Sequence, residues 1–80
     1  MTDLSRPLTW RERETLRYLD RLMEANSAMV GDFLAVGDEN RARVGGAVCA
    51  RLRRRGLVKF LPDLRAWRIT GTGRDKLRSE

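Results

Sequence analysis

Residues 40–70 read NRARVGGAVCARLRRRGLVKFLPDLRAWRIT, and their pattern decides the fold that we expect. Val44, Val48 and Leu52 recur every four residues, which predicts the buried ridge of a helix. Gly56 predicts the end of that helix after residue 55, because glycine readily adopts the left-handed conformation that closes helices. The stretch therefore begins with a helix and changes direction at a glycine.

Two strand-like runs follow this glycine. Residues 57–61 and 65–70 are rich in branched and aromatic side chains, and they flank the turn-forming residues 62–64, Pro-Asp-Leu. This arrangement predicts a β-hairpin. Trp67 alternates with its neighbours as a buried residue would, so we expect it in the core and not as a stacking platform for a base.

The same stretch carries most of the positive charge. Between residues 41 and 68 there are nine basic residues and one acid, Asp63, whereas the first forty residues contain five basic and eight acidic ones. The formal net charge is +6 and the sequence pI is about 11.0, which favours polyanionic partners. Nucleic acid is the leading candidate, ahead of an anionic membrane surface.

The rest of the chain predicts a small helical domain. Eighty residues suffice for one core, which we assign to residues 9–80 behind an N-terminal arm of residues 1–8. Thr9 and Glu12 form a capping-box pattern at the start of the first helix. The second helix is expected to bury Val30, Phe33 and Leu34. The further predicted helices span residues 10–25, 28–36 and 72–79, and Asp38 is expected to cap the one that ends at residue 55.

The segment RLRRRGLVKFLPDLRAWRITGTGRDKL resembles the short-winged bacterial and phage regulators of the MarR, PadR and ArsR kind. In those families a leucine precedes a Gly-Leu-Val turn, a wing follows, and an Arg-Ile/Leu-Thr segment leads into a last helix. The matching positions are Leu52, Gly56-Leu57-Val58, Arg68-Ile69-Thr70, Gly73-Arg74 and Leu77, and the resemblance covers about residues 8–78.

This resemblance implies a mainly α winged helix-turn-helix fold with a three-helix core, a two-stranded wing and a short C-terminal helix. It also implies a sequence-specific double-stranded DNA-binding protein, a small transcriptional regulator, with helix 40–55 in the major groove and hairpin 57–70 as the wing. Two family features are missing from this sequence: the long flanking helices that dimerise MarR-type proteins, and the metal-binding cysteines and histidines of ArsR-type sensors.

Helical spacing assigns roles to individual residues of this stretch. The face opposite Val48 is expected to enter the groove, and Gly46 and Ala50 would let the backbone lie close to its floor. Base contacts are expected from Asn40, Arg41 and Arg43, because asparagine suits adenine and arginine suits guanine. Phosphate or minor-groove contacts are expected from Arg53, Arg54, Lys59, Arg65 and Arg68, with a further phosphate near Thr9 and Arg11.

Several of these features have a structural interpretation as well. Residues 53–55 are three arginines at the negative end of a helix, where cations are favourable in any protein. Gly45-Gly46 either allows a neighbouring helix to approach closely or loosens its own helix. Trp10 and Tyr18 lie on a second stripe of the first helix, which is either a packed face or a dimer or partner surface. The alternative function is therefore a protein-interaction module that uses the first helix, and RNA binding is a third hypothesis.

Enzymatic chemistry is not expected. The chain has no histidine, no metal-ligand spacing, no phosphate-cradling glycine motif and no Ser/Cys–His pair, so we expect no cofactor, metal or small-molecule ligand. The single cysteine, Cys49, excludes an internal disulfide and suits a reducing compartment. The N-terminus does not resemble a signal peptide, and no segment has the roughly 20 apolar residues of a membrane span, so we expect a cytoplasmic protein.

Overall fold

The computed structural model of the chain describes residues 6–34 and 40–80. Within these ranges it contains four helices and one small antiparallel sheet with the strand order β1-β3-β2. The coarse prediction of a mainly α protein with a little β-structure is confirmed. The elements are α1 (Trp10–Leu22), β1 (Glu24–Ala25), α2 (Ser27–Phe33), α3 (Arg41–Arg54), β2 (Val58–Leu61), β3 (Ala66–Ile69) and α4 (Gly71–Arg78).

The sheet has three strands, one more than the two of the predicted hairpin. The first helix stops at Leu22, three residues earlier than predicted, and its C-cap Met23 has a positive φ of 70°. The next two residues pair with β3, with Glu24 opposite Arg68 and Ala25 opposite Trp67. A strand of two residues is too short to show alternation, and its partner lies more than forty positions away in the chain.

The starts of α1 and α2 follow the local sequence. The amide of Thr9 donates to Glu12 Oε1 (2.9 Å) and the amide of Glu12 donates to Thr9 Oγ1 (3.2 Å), so the predicted capping box is confirmed. At α2 the amide of Met29 donates to Asn26 Oδ1 (2.9 Å). Leu8, which we had assigned to the arm, is buried in the core.

The second helix is shorter than predicted and differs in one inward residue. It ends at Phe33, and residues 35 and 36 of the predicted helix lie outside the described residues. Val30 and Leu34 are buried as expected, but Phe33 remains 36% exposed. Its ring stacks on Tyr18 with 4.4 Å between the centroids, so it covers the junction of α1 and α2 from outside.

The predicted glycine stop of α3 is confirmed in detail. Gly56 has φ 76°, its amide donates to the Arg53 carbonyl (2.9 Å), and the Leu57 amide donates to the Leu52 carbonyl (2.9 Å). These two bonds form the Schellman arrangement that satisfies the last carbonyls of a helix. The helix begins at Arg41 after an N-cap at Asn40; Asp38, the predicted cap, lies outside the described residues.

Helices α2 and α3 cross at two glycines. A Cβ on Gly45 would overlap the carbonyl oxygen of Ser27, and one on Gly31 would overlap the carbonyl of Arg41. Of the two interpretations of Gly45-Gly46, close approach of a helix is therefore the one that the structure supports for Gly45. A Cβ on Gly46 would meet only the side chain of Ser27, with its nearest atom, Oγ, at 3.3 Å.

The hairpin forms as predicted, with β2 and β3 paired from Val58–Ile69 to Leu61–Ala66. Trp67 is 8% exposed and its Nε1 donates to Ser27 Oγ (3.0 Å), which confirms its place in the core. Two bonds close the turn: the amide of Leu64 donates to the carbonyl of Leu61, and that of Arg65 to the carbonyl of Pro62 (3.2 Å each). The core that unites the helices and the sheet consists of Leu8, Leu16, Leu19, Ala25, Val30, Leu34, Val48, Cys49, Leu52, Leu57, Val58, Trp67 and Ile69.

The two neighbouring glycines of α3 give a matched test of this packing. We expect Gly45→Ala to lower the free energy of unfolding by roughly 1–3 kcal/mol, because the added methyl group must displace the Ser27 backbone. Gly46→Ala is the control and should change the free energy of unfolding little, because the strain against Ser27 Oγ is offset by a gain in helix propensity of about 1 kcal/mol. Urea unfolding followed by circular dichroism measures both. Equal losses in the two variants would contradict the close crossing of α2 and α3.

Candidate nucleic-acid interface

A groove of about 540 Å³ runs along the exposed side of α3, and Arg11 from the first turn of α1 also lines it. Its spine is a regular stripe in which Arg43, Ala47, Ala50 and Arg54 follow one another at helical spacings of four, three and four residues. We call it the basic groove. The residues that line it are Arg11, Asn40, Arg43, Val44, Ala47, Val48, Ala50, Arg51 and Arg54.

The packing of α2 determines which side of α3 is exposed. The buried residues of α3 are Gly45, Val48, Cys49 and Leu52, so the buried side is centred about 50° away from Val48, towards Cys49. Gly45 causes this displacement, because its missing side chain admits the backbone of α2. The exposed side is displaced by the same angle, away from Gly46 and towards Ala47 and Arg54.

Four of the contact residues predicted on helix 40–55 line the basic groove: Asn40, Arg43, Ala50 and Arg54. Asn40 makes no side-chain capping bond, so its amide is not needed to hold the start of α3. Arg43 and Arg54 are exposed, and among the described residues neither forms an ion pair with a carboxylate. The groove thus presents cations that the described part of the protein does not neutralise.

Two further groove residues were not assigned a role by sequence reasoning. Ala47 and Arg51 line the groove, and Arg51 is exposed without an ion pair to any described carboxylate. On an ideal helix Arg51 lies only about 60° from Val48 and so was expected beside the buried ridge. In the structure the buried side of α3 is displaced away from Arg51, because α2 packs at Gly45. Arg51 therefore lines the groove. Arg11 lines the same groove from α1, where the sequence indicated a phosphate site.

Other predicted contact residues lie elsewhere. Arg41 faces α2, where its Nη1 donates to Asp32 Oδ1 at 3.3 Å, and it does not line the groove. Gly46 is half-buried beside Ser27 and does not line the groove, and Arg53 is exposed outside it. Within the hairpin, Lys59 lies directly opposite Arg68, and Arg65 occupies the turn with φ 48°.

Of the three arginines at residues 53–55, Arg55 is the one that does not face solvent. It is only 6% exposed, and its Nη1 donates to both carboxylate oxygens of Glu12 (3.2 Å each). Its Nη2 donates to the main-chain carbonyl of Arg6 (2.6 Å). Because Glu12 is also the capping-box residue, this pair ties the first turn of α1, which carries Arg11, to the end of α3.

The two aromatic residues of the predicted partner surface are separated in the structure. Tyr18 packs within the molecule against Phe33, and the Arg21 guanidinium lies 5.9 Å from the centre of the Phe33 ring. Trp10 is 61% exposed and is not part of this cluster. Packing, the first of the two interpretations, therefore describes Tyr18, while Trp10 remains on the surface.

Other chemistry is sparse in the part of the chain that the structure describes. Burial raises the pKa of the Cys49 thiol to about 12, which keeps it protonated and unreactive at neutral pH. No group of three or more potential metal-ligating side chains occurs among residues 6–34 and 40–80. None of the described helices combines the length and the apolar character that crossing a membrane requires.

Comparison of the chain with protein-family models, with curated proteins and with solved structures gives no match. Function is therefore inferred from the basic groove, the hairpin and their charges.

The buried ion pair gives a stability test with a matched control. We expect Glu12→Gln to lower the free energy of unfolding at neutral pH by roughly 3–5 kcal/mol, because Arg55 loses its charge partner while buried. Glutamine keeps an oxygen that accepts the Thr9 amide, so the cap itself is retained. Glu14→Gln on the same helix removes only a surface pair with Arg17 and should cost less than about 1 kcal/mol.

The same variants have a pH dependence with a defined sign. Burial alone would raise the pKa of Glu12, but hydrogen bonds from Thr9 and Arg55 and the charge of Arg55 together hold it below the usual 4.5. A lowered folded-state pKa stabilises the protein above the unfolded-state pKa, and that stability is lost as pH falls through the folded-state pKa. The difference in the free energy of unfolding between wild type and Glu12→Gln should therefore become smaller below pH 4.5. A gap that stays constant into strong acid would contradict the assigned role of the pair.

Proposed function

We propose that the protein is a small transcriptional regulator that binds double-stranded DNA sequence-specifically. In this proposal it is a winged helix-turn-helix protein, with α3 in the major groove and the β2–β3 hairpin as its wing. The observation that carries the proposal is the basic groove: Arg43, Arg51 and Arg54 of α3 converge there with Arg11 of α1.

The dimensions of α3 agree with insertion into a DNA groove. Eleven residues separate Arg43 from Arg54, so the two arginines lie about 16 Å apart along the helix axis. The major groove of B-DNA, about 12 Å wide, admits one helix. On the stripe between these arginines stand Ala47 and Ala50, whose small side chains would let the backbone approach the base edges and offer apolar contact to thymine methyl groups.

The groove residues fall into two classes by position. Asn40 and Arg43 stand at the entering end of α3, where base-edge contacts are made in helix-turn-helix complexes, and their amide and guanidinium groups suit adenine and guanine. Arg51 and Arg54 near the trailing end, with Arg11 on α1, are assigned to phosphates. These contacts would set the orientation of the helix without reading sequence.

The hairpin supplies the second contact region. Arg65 is exposed in its turn, and Lys59 is exposed on β2. We assign Arg65 to a neighbouring minor groove or its phosphates, and Lys59 with Arg68 to the adjoining backbone.

Two observations favour duplex DNA over the other hypotheses. The protein-interaction hypothesis was motivated by the acidic first half of the chain and by the stripe with Trp10 and Tyr18, and the ring of Tyr18 stacks on Phe33 within the molecule. The major groove of A-form RNA is deep and narrow and excludes side chains from its base edges, so a helix with this exposed face has less to read there.

Salt dependence and point variants test the proposed contacts. Fluorescence anisotropy on a duplex selected from random sequence should give a log–log slope near −4 to −5, for roughly five phosphate contacts. Arg51→Ala should reduce the magnitude of that slope by about 0.9. Arg43→Ala should reduce the preference for one base pair over the others by roughly 1–3 kcal/mol at the position that Arg43 contacts. Arg65→Ala should weaken binding to all duplex sequences equally.

Arg78→Ala is the matched control for these variants. It removes the same charge from an exposed residue of α4 that does not line the groove. It should leave sequence preference intact and change the slope far less than Arg51→Ala. If Arg78→Ala weakens duplex binding as much as Arg43→Ala and Arg51→Ala do, only the overall charge matters. That result would contradict the proposed interface.

A further inference from the structure

The junction of α1 and α2 carries an apolar surface that the proposed function does not use. The stacked rings of Tyr18 and Phe33 lie in it, with 4.4 Å between their centroids. On α1, Leu22 follows Tyr18 by one helical turn. On α2, Met29 precedes Phe33 by one turn, so both helices extend the surface towards the short connection between them, which begins with Met23. We call these five residues the junction patch.

The exposed area of the junction patch is large for so small a molecule. Four of its residues are between 36% and 49% exposed: Leu22, Met23, Met29 and Phe33. Together they leave roughly 300–400 Å² of apolar surface in contact with water, which is within the range of the largest patch on a typical monomeric protein, and such patches are often functional. None of these residues lines the basic groove, so a partner bound here does not compete with a ligand of the groove.

The border of the junction patch has balanced charge. The Arg21 guanidinium lies 5.9 Å from the centre of the Phe33 ring, and Glu24 stands at the start of β1, next to the patch. Neither Arg21 nor Glu24 forms an ion pair with another described residue. Asp32, the neighbour of Phe33, is already paired with Arg41. The border therefore offers one cation and one anion that the described part of the chain does not neutralise.

This balance favours a second copy of the same chain as the partner. Because the net charge is +6, two copies repel each other wherever their basic surfaces meet, but not across a border whose own charges cancel. A twofold dimer brings the same patch to both sides of the contact, so Arg21 of each copy can face Glu24 of the other. Nucleic acid or an anionic membrane gains no charge attraction from a neutral border.

We propose that the junction patch is the contact surface of a twofold dimer of this chain. The apolar area of the patch is about half of the ~800 Å² that each partner buries in a standard interface, so the dimer belongs to the class that dissociates on dilution. The inference goes beyond the proposed function and does not depend on it, because the two copies meet without DNA. If the proposed function also holds, the dimer brings two α3 helices to one duplex, and the selected sites are palindromic.

Sedimentation equilibrium without DNA tests the contact. The wild-type chain should show a monomer–dimer equilibrium that shifts to the dimer as protein concentration rises. Leu22→Gln combined with Met29→Gln should weaken dimerisation about tenfold or more, because polar groups then replace apolar ones at the centre of the contact. Leu64→Gln is the matched control, since Leu64 is exposed in the hairpin turn, outside the patch, and its replacement should leave dimerisation unchanged.

Charge variants separate a loss of contact from a loss of folding. Arg21→Glu and Glu24→Lys should each weaken the homodimer several-fold, because like charges then face each other. An equimolar mixture of these two variants should dimerise again, since each supplies the charge that the other lacks. A misfolded variant would not be rescued in this way, and circular dichroism of each variant verifies its helix content.

A wild-type chain that stays monomeric at every concentration overturns the inference and leaves the junction patch to a partner of another kind. Dimerisation that is unaffected by the patch variants, or that Leu64→Gln weakens equally, overturns it as well, and so does a mixture of the charge variants that remains monomeric. The proposed function is tested separately, because a monomer can still bind a duplex through the basic groove and Arg51→Ala reports on that binding alone.

Discussion

The buried ion pair between Glu12 and Arg55 is the interaction on which the candidate interface depends. It joins residues 43 positions apart, and it connects the first turn of α1 to the C-terminal end of α3. Glu12 also closes the capping box with Thr9, so one carboxylate fixes both the start of a helix and its position against another. The basic groove lies between these two elements. Without the pair, Arg11 would have no fixed distance from the arginines of α3.

The close crossing of α2 and α3 then decides which arginines face outward. Gly45 admits the backbone of α2, so this side of α3 is buried, and Arg43, Arg51 and Arg54 are left exposed along the groove. Arg41 and Arg55 are used differently, because each forms an ion pair within the protein. The positive charge of α3 is therefore divided between ion pairs that hold the fold and arginines that remain exposed, and a count of basic residues alone overstates the exposed charge.

Features set by residues within a few positions of each other could be predicted from the sequence. The Thr9–Glu12 capping box, the stop at Gly56, the hairpin and the burial of Trp67 are of this kind, because their determinants are local. Features set by distant contacts could not be predicted. The strand at Glu24–Ala25 depends on β3, the position of Phe33 depends on Tyr18, and the role of Arg55 depends on Glu12. The exposed basic face of α3 was predicted in outline. The groove that the structure shows includes Ala47 and Arg51, to which sequence reasoning had assigned no role, and it does not include Gly46.

The central claim is that a DNA duplex meets α3 along the stripe from Arg43 to Arg54. Backbone amide chemical shifts, followed by NMR while a selected duplex is added, test it most directly. The largest changes are expected at Arg43, Ala47, Ala50 and Arg51, with a further change at Arg11 of α1, which lines the same groove. Changes concentrated instead around Tyr18 and Phe33, or along α4, with α3 unaffected, would contradict it.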